Sequence, residues 1–159
     1  MERDYQEKCE NSIVTDYLAG LHQLLVVMAT GTGKTVVFSK LIKRLKSLPG
    51  NPLSGKILVF AHREELVDQA VDTIREWNPG LKVGKEMAND WADTDCDVVV
   101  SCVASIGRDG ATRLVRFGDF STVICDEAHH SIAQTYRSTP GAFSPGASWI
   151  SILVPGKLR

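Results

Sequence analysis

The sequence has no excess of positive charge: 18 Lys and Arg face 19 Asp and Glu, a formal net charge of −1. It therefore lacks the global basic field that draws a chain onto nucleic acid. Any such contact has to use local patches and backbone amides. No apolar run approaches the roughly 18 residues a membrane span requires, so no membrane partner is expected. The first ten residues, MERDYQEKCE, lack the apolar core of a secretory signal. Cysteine is scarce and scattered. Cys9, Cys96, Cys102 and Cys125 form no C-x-x-C pair, which argues against a zinc or redox site. Reduced thiols in a soluble intracellular protein are the expectation, with nucleus, mitochondrion and cytoplasm not distinguished. Internal repeats and low-complexity segments are absent as well.

What is present fits one globular domain. The chain has 159 residues, 43% hydrophobic and 23% charged, enough to bury a core without staples. Residues 3–18 have helical periodicity, with Tyr5, Cys9, Ile13 and Tyr17 on one face. The apolar run 24–28 stops at a glycine-rich turn, as a buried strand does. Residues 36–45 return to helical period, with Val37, Phe38, Leu41, Ile42 and Leu45 opposite Lys40, Lys43 and Arg44. These cations, with Lys46, are read as a solvated face. A Ser/Pro/Gly-rich loop follows at 47–55, then a strand at 57–61 and a helix at 64–77. Further strands are predicted at 81–85, 97–103 and 121–125, with partial helix in 106–117. Residues 138–148 are predicted to be loop and 149–154 a last apolar run able to pair as a strand. Apolar strands without alternation, separated by helices, predict an α/β fold: a mostly parallel sheet with helices on both faces.

Two strand ends carry polar chemistry. Ala29-Thr30-Gly31-Thr32-Gly33-Lys34-Thr35 follows the first strand. Its glycines let backbone N–H groups converge on phosphate oxygens at a helix N-terminus. Lys34 would reach the β- and γ-phosphates and the Thr35 hydroxyl would ligate Mg²⁺. The generic phosphate loop has glycine where this chain has Met28. Asp126-Glu127-Ala128-His129 follows another strand. Asp126 there can hold Mg²⁺ and Glu127 can polarise water. The adjacent histidines lack the H-E-x-x-H spacing of a zinc site.

Together ATGTGKT and DEAH resemble motifs I and II of the superfamily 2 helicases, in the branch with the type III restriction enzyme and UvrB-like helicase domain. The A-x-x-G-x-G-K-T form of that family accommodates Met28. Arg3-Asp4-Tyr5-Gln6 resembles the R-x-Y-Q segment ahead of motif I, 61–69 resembles motif Ia, and 100–106 resembles motif Ib. The resemblance implies a RecA-like P-loop domain that uses ATP and Mg²⁺. It implies that Gln6 reads adenine, that Ala29 to Thr35 hold the phosphates, and that Lys34, Asp126 and Glu127 are catalytic. Thr35 and Asp126 would hold the metal, and His129 would couple hydrolysis to motif III. Arg63 and Ser105 would contact the backbone of DNA, or less readily RNA. Arg63 also reads as a helix-start arginine paired with an acid. Trp77 and Trp91 are read as packing at the edge of the core, and Cys102 and Cys125 as core residues.

The resemblance covers residues 1–145, leaving 146–159 as a tail outside the family pattern. Motif III and the second RecA-like lobe, with its arginine finger, are expected to be missing from this chain. An isolated lobe is expected to hydrolyse ATP slowly or not at all. The rival reading is a non-catalytic nucleotide- or protein-binding remnant; a P-loop kinase has no place for D-E-A-H.

Overall fold

The computed structural model describes residues 4–29, 31–47, 55–61, 63–102, 110–118, 120–126 and 143–153. Among the described residues, four helices, α1 (Asp4–Leu18), α2 (Lys34–Ser47), α3 (Glu64–Trp77) and α4 (Gly110–Val115), flank six strands. The strands are β1 (Gln23–Val27), β2 (Lys56–Ala61), β3 (Val83–Glu86), β4 (Val98–Cys102), β5 (Phe120–Asp126) and β6 (Phe143–Leu153). They form one sheet in the order β1-β6-β5-β2-β4-β3, every described pair parallel.

The apolar runs in the sequence lack alternation because both sides of the sheet are covered. Ile57, Val59 and Ala61 of β2, Val98 and Val100 of β4, Ile124, Ile150 and Ile152 point to one side. There they meet Val37, Phe38 and Leu41 of α2, Val67 and Ile74 of α3, and Ile13 of α1. Leu58, Phe60, Val99, Val123 and Cys125 point to the other side, under Leu114 of α4 and under Phe117, Ala92 and Cys96. The α/β prediction with helices on both faces holds.

Three expectations are corrected. Residues 143–148, predicted as loop, belong to β6, which runs without a break past residue 145 and pairs with β1 and β5. Pairing with β5 at Phe143 and Ser148 carries the strand past Pro145 and Gly146. The third predicted strand begins at Val83, not at residue 81. Lys40 is not on a solvated face: it is 9% exposed, its aliphatic stem buried and its ammonium 4.7 Å above the Trp77 ring.

A buried charge cluster ties the β3 end of the sheet together. Glu86, fully buried at the end of β3, accepts from Arg113 Nε at 2.7 Å, from the Arg116 guanidinium, and from Ala92 N–H at 2.8 Å. Arg113 also donates to the carbonyls of Ala88 and Asp90, and both guanidiniums stand over the Trp91 ring. One carboxylate thus joins β3, the 88–92 turn and α4. Removing its charge strands two guanidiniums. Glu86→Gln should lower stability by about 3–5 kcal/mol, the usual cost of breaking a buried pair. Urea denaturation checks this; an unshifted midpoint would show that the arginines are satisfied without Glu86.

Candidate functional site

The site is built where β1 and β5, separated by β6, end on the same edge of the sheet. Parallel strands bring all their carboxyl ends to one edge, which is where such sheets bind ligands. Met28, 7% exposed, anchors the end of β1 in the core, and the chain then leaves the sheet. Gly31 and Gly33 take φ of +76° and +78°, a left-handed conformation that costs L side chains energy. The Thr32 hydroxyl closes the turn on the Ala29 carbonyl at 2.6 Å. The Gly33 carbonyl accepts from Val37 N–H at 3.0 Å and starts α2. That leaves the first N–H groups of a 14-residue helix facing the loop.

Lys34 Nζ lies 3.6 Å from Asp126 Oδ1, each side chain 14% exposed. The two residues sit 92 positions apart, and the sheet brings them together. Thr35 and Asp126 line one small cavity of about 30 Å³, walled by Phe38, Val59, Phe60, Ala61 and Leu66. A hydroxyl and a carboxylate at one cavity are hard oxygen donors. They suit Mg²⁺, which takes one or two carboxylates and fills the rest of its shell with water and phosphate oxygens. Among the described residues no cluster of three His, Cys, Asp or Glu forms a protein-only metal cage. Beside Asp126, burial and then the neighbouring carboxylate push the Cys125 thiol up to about 12. It is a neutral wall, as its place in an apolar strand implies.

Gln6 is 6% exposed, and its Nε2 donates to the Thr32 carbonyl at 2.9 Å. The Tyr5 hydroxyl donates to the same carbonyl at 2.9 Å. The Gln6 contact was not visible in the sequence, and Tyr5 was missed as a site residue. The only sequence signal was their adjacency in the segment ahead of the glycine loop. Arg63 stands exposed at the start of α3, just beyond β2, with extended backbone and no side-chain cap. It makes no ion pair with another described residue. Thr30, Ser105, Glu127 and His129 lie outside the described residues.

Comparison with known proteins agrees with this architecture. A family model described as type III restriction enzyme, res subunit, matches residues 1–152. A Saccharomyces cerevisiae protein named ATP-dependent helicase IRC3 is 38% identical over 97% of this chain and 22% of its own length. A Schizosaccharomyces pombe protein named mitochondrial ATP-dependent helicase irc3 is 34% identical over 84% of this chain and 22% of its own length. The chain thus spans about a fifth of each relative. Among solved structures, a nuclease-deletion mutant of the Type ISP restriction-modification enzyme LlaGI, in complex with a DNA substrate mimic, superposes with a TM-score of 0.71. That match is 21% identical and covers all of this chain and 18% of LlaGI, which speaks to the fold alone.

The two loop glycines differ in a measurable way. An added Cβ at Gly31 meets open space, whereas at Gly33 it falls 2.7 Å from Gln6 Nε2. Gly31→Ala should cost only the backbone penalty, about 1–2 kcal/mol. Gly33→Ala should cost more, because Gln6 must also leave Thr32. Equal losses in urea melts would show that the Gln6 contact carries no weight.

Proposed function

The chain belongs to the type III restriction enzyme res subunit family and is an ATP-binding domain of the helicase-like ATPases, and from that premise we propose that residues 29–35 and 126–129 form a Mg·ATP hydrolysis site of the DEAH type, coupled to DNA. What carries this reading is the convergence of Lys34 and Asp126 at 3.6 Å above a glycine loop that opens a long helix. In this reading the amides of the loop and α2 take the phosphate oxygens, and Lys34 neutralises charge at the γ-phosphate. Splitting Lys34 from Asp126 frees the lysine for phosphate and the carboxylate for metal. Thr35 and Asp126 would hold Mg²⁺, which supplies charge neutralisation at the β- and γ-oxygens when bound. Glu127 orients the attacking water, and Gln6 offers its Oε1 to the base. His129 passes the state of the site to a second lobe.

Arg63 follows β2 on the same edge as the glycine loop, and Ser105 comes three residues after β4 in the sequence. They contact the phosphate backbone of one strand, so binding is independent of base sequence and weakens with salt. DNA is favoured over RNA by the branch of the family. A mitochondrial site of action, named for the Schizosaccharomyces pombe relative, is the compartment to examine first. A second reading, a docking remnant without catalysis, finds support in the exposed Leu25 and Val27 of edge strand β1.

Titration with Mg·ATP and steady-state turnover, with and without DNA and RNA, test the proposal. The 159-residue chain should bind Mg·ATP, Lys34→Ala should lose at least about tenfold in affinity, and Glu127→Gln should keep binding. Turnover by the single lobe should be slow, since an arginine finger contributes about 10³–10⁵ in rate. Nucleic-acid-stimulated turnover lost in both variants would show that one lobe completes its own site by self-association. Absence of Mg·ATP binding would overturn the proposal in favour of the docking remnant.

A further inference from the structure

The geometry points to Tyr5 and Gln6 as positioning residues for the phosphates: from α1 they hold one peptide plane of the glycine loop in the orientation an anion needs. This rests on the reading of 29–35 as a phosphate loop. The Thr32 carbonyl accepts at 2.9 Å from the Tyr5 hydroxyl and at 2.9 Å from Gln6 Nε2. A carbonyl oxygen has two lone pairs, and these two donors match that capacity. No described peptide bond is cis. In a planar trans peptide the C=O of Thr32 and the N–H of Gly33 point in opposite directions. Holding the carbonyl toward α1 therefore holds the Gly33 N–H away from it, as a donor with no hydrogen-bond partner among the described residues.

The loop needs such a brace because of its own chemistry. Glycine at 31 and 33 allows the positive φ values that gather N–H groups into an anion nest. The same freedom lets the peptide between Thr32 and Gly33 rotate at little cost, presenting a carbonyl instead of an N–H to the anion. The Thr32 side chain does not prevent this, since its hydroxyl is bonded to Ala29 O. Two donors fixed on a helix do. Gln6 is also constrained chemically: facing a carbonyl, its amide must present nitrogen. One of its two N–H donors is engaged on the loop, leaving the other N–H and Oε1 for a base. The absence of a larger side chain at 33 belongs to the same arrangement, because a Cβ there would fall 2.7 Å from Gln6 Nε2.

The test uses two probes, Mg·ATP and Mg·tripolyphosphate, the second having phosphates and no base. Each is titrated calorimetrically into the 159-residue chain, Tyr5→Phe and Gln6→Met, with thermal unfolding recorded for all three. Tyr5→Phe removes one oxygen from a side chain that is 40% exposed, so its thermal midpoint should not move. Tyr5→Phe should weaken both probes alike, by about three- to tenfold, the range for one hydrogen bond; Gln6→Met should weaken tripolyphosphate by the same range and ATP by at least as much. Tyr5→Phe binding tripolyphosphate as tightly as the parent would overturn the brace. So would a Gln6→Met variant that loses ATP but not tripolyphosphate, which would make Gln6 a reader of the base alone. If the parent takes up neither probe, the phosphate-loop reading itself fails and takes the brace with it.

Discussion

Every described strand pair is parallel, so each strand must be left at its carboxyl end and the next entered from the opposite edge. The right-handed sense of such crossovers then decides which face each connection covers. From β1 to β2 and from β2 to β3 the chain moves toward the β3 side of the sheet, by way of α2 and α3 on one face. From β3 to β4 and from β4 to β5 it moves back, by way of Ala92 and Cys96 and then α4 on the other face. One handedness accounts for both layers. It also gathers the strand exits on one edge, and the Lys34–Asp126 pair follows from that placement.

What the sequence revealed and what it hid divide along the same line. A strand buried on both faces is an unbroken apolar run, so β2, β4 and β5 were legible from five to seven residues each. The glycine loop and Asp126 were legible for the same reason, since each is a local string at a strand end. β6 was harder. Phe143 to Gly146 contain proline and glycine, signals of a loop, yet they lead into the pairing with β5 at Phe143 and Ser148 and with β1 from Trp149 on. Lys40 was misread because helical periodicity places it beside Lys43 and Arg44. Its partner, Trp77, lies 37 residues away on α3, and no local pattern reports such a neighbour.

Glu86 shows the same limit for charge. Within Val83-Gly84-Lys85-Glu86 it looks like the polar end of a short edge strand. In the fold it is fully buried, because Arg113 of α4 and Arg116 of the turn after it reach it with matching geometry. A buried carboxylate without them would be intolerable. The cluster fixes the 88–92 turn and α4 to β3, and thereby closes the sheet at the edge away from the glycine loop. Rigidity at both edges matters to a site assembled from two strand ends, since a shift of about 1 Å at either one can cost a hundredfold in chemistry.

Glycine gives the loop access to its anion-binding shape and takes away any preference for it. A loop of this composition is therefore incomplete by itself, and the missing constraint has to come from elsewhere in the fold. In this chain it comes from α1, 26 residues upstream, through a hydroxyl and an amide that converge on one carbonyl. The consequence for specificity is chemical. An amide that gives one N–H to the protein backbone keeps its other N–H and its oxygen, a donor–acceptor pair that matches the amino group and ring nitrogen of an adenine edge. Discrimination among bases and orientation of the phosphate loop then share one side chain, so neither can be altered at Gln6 without disturbing the other.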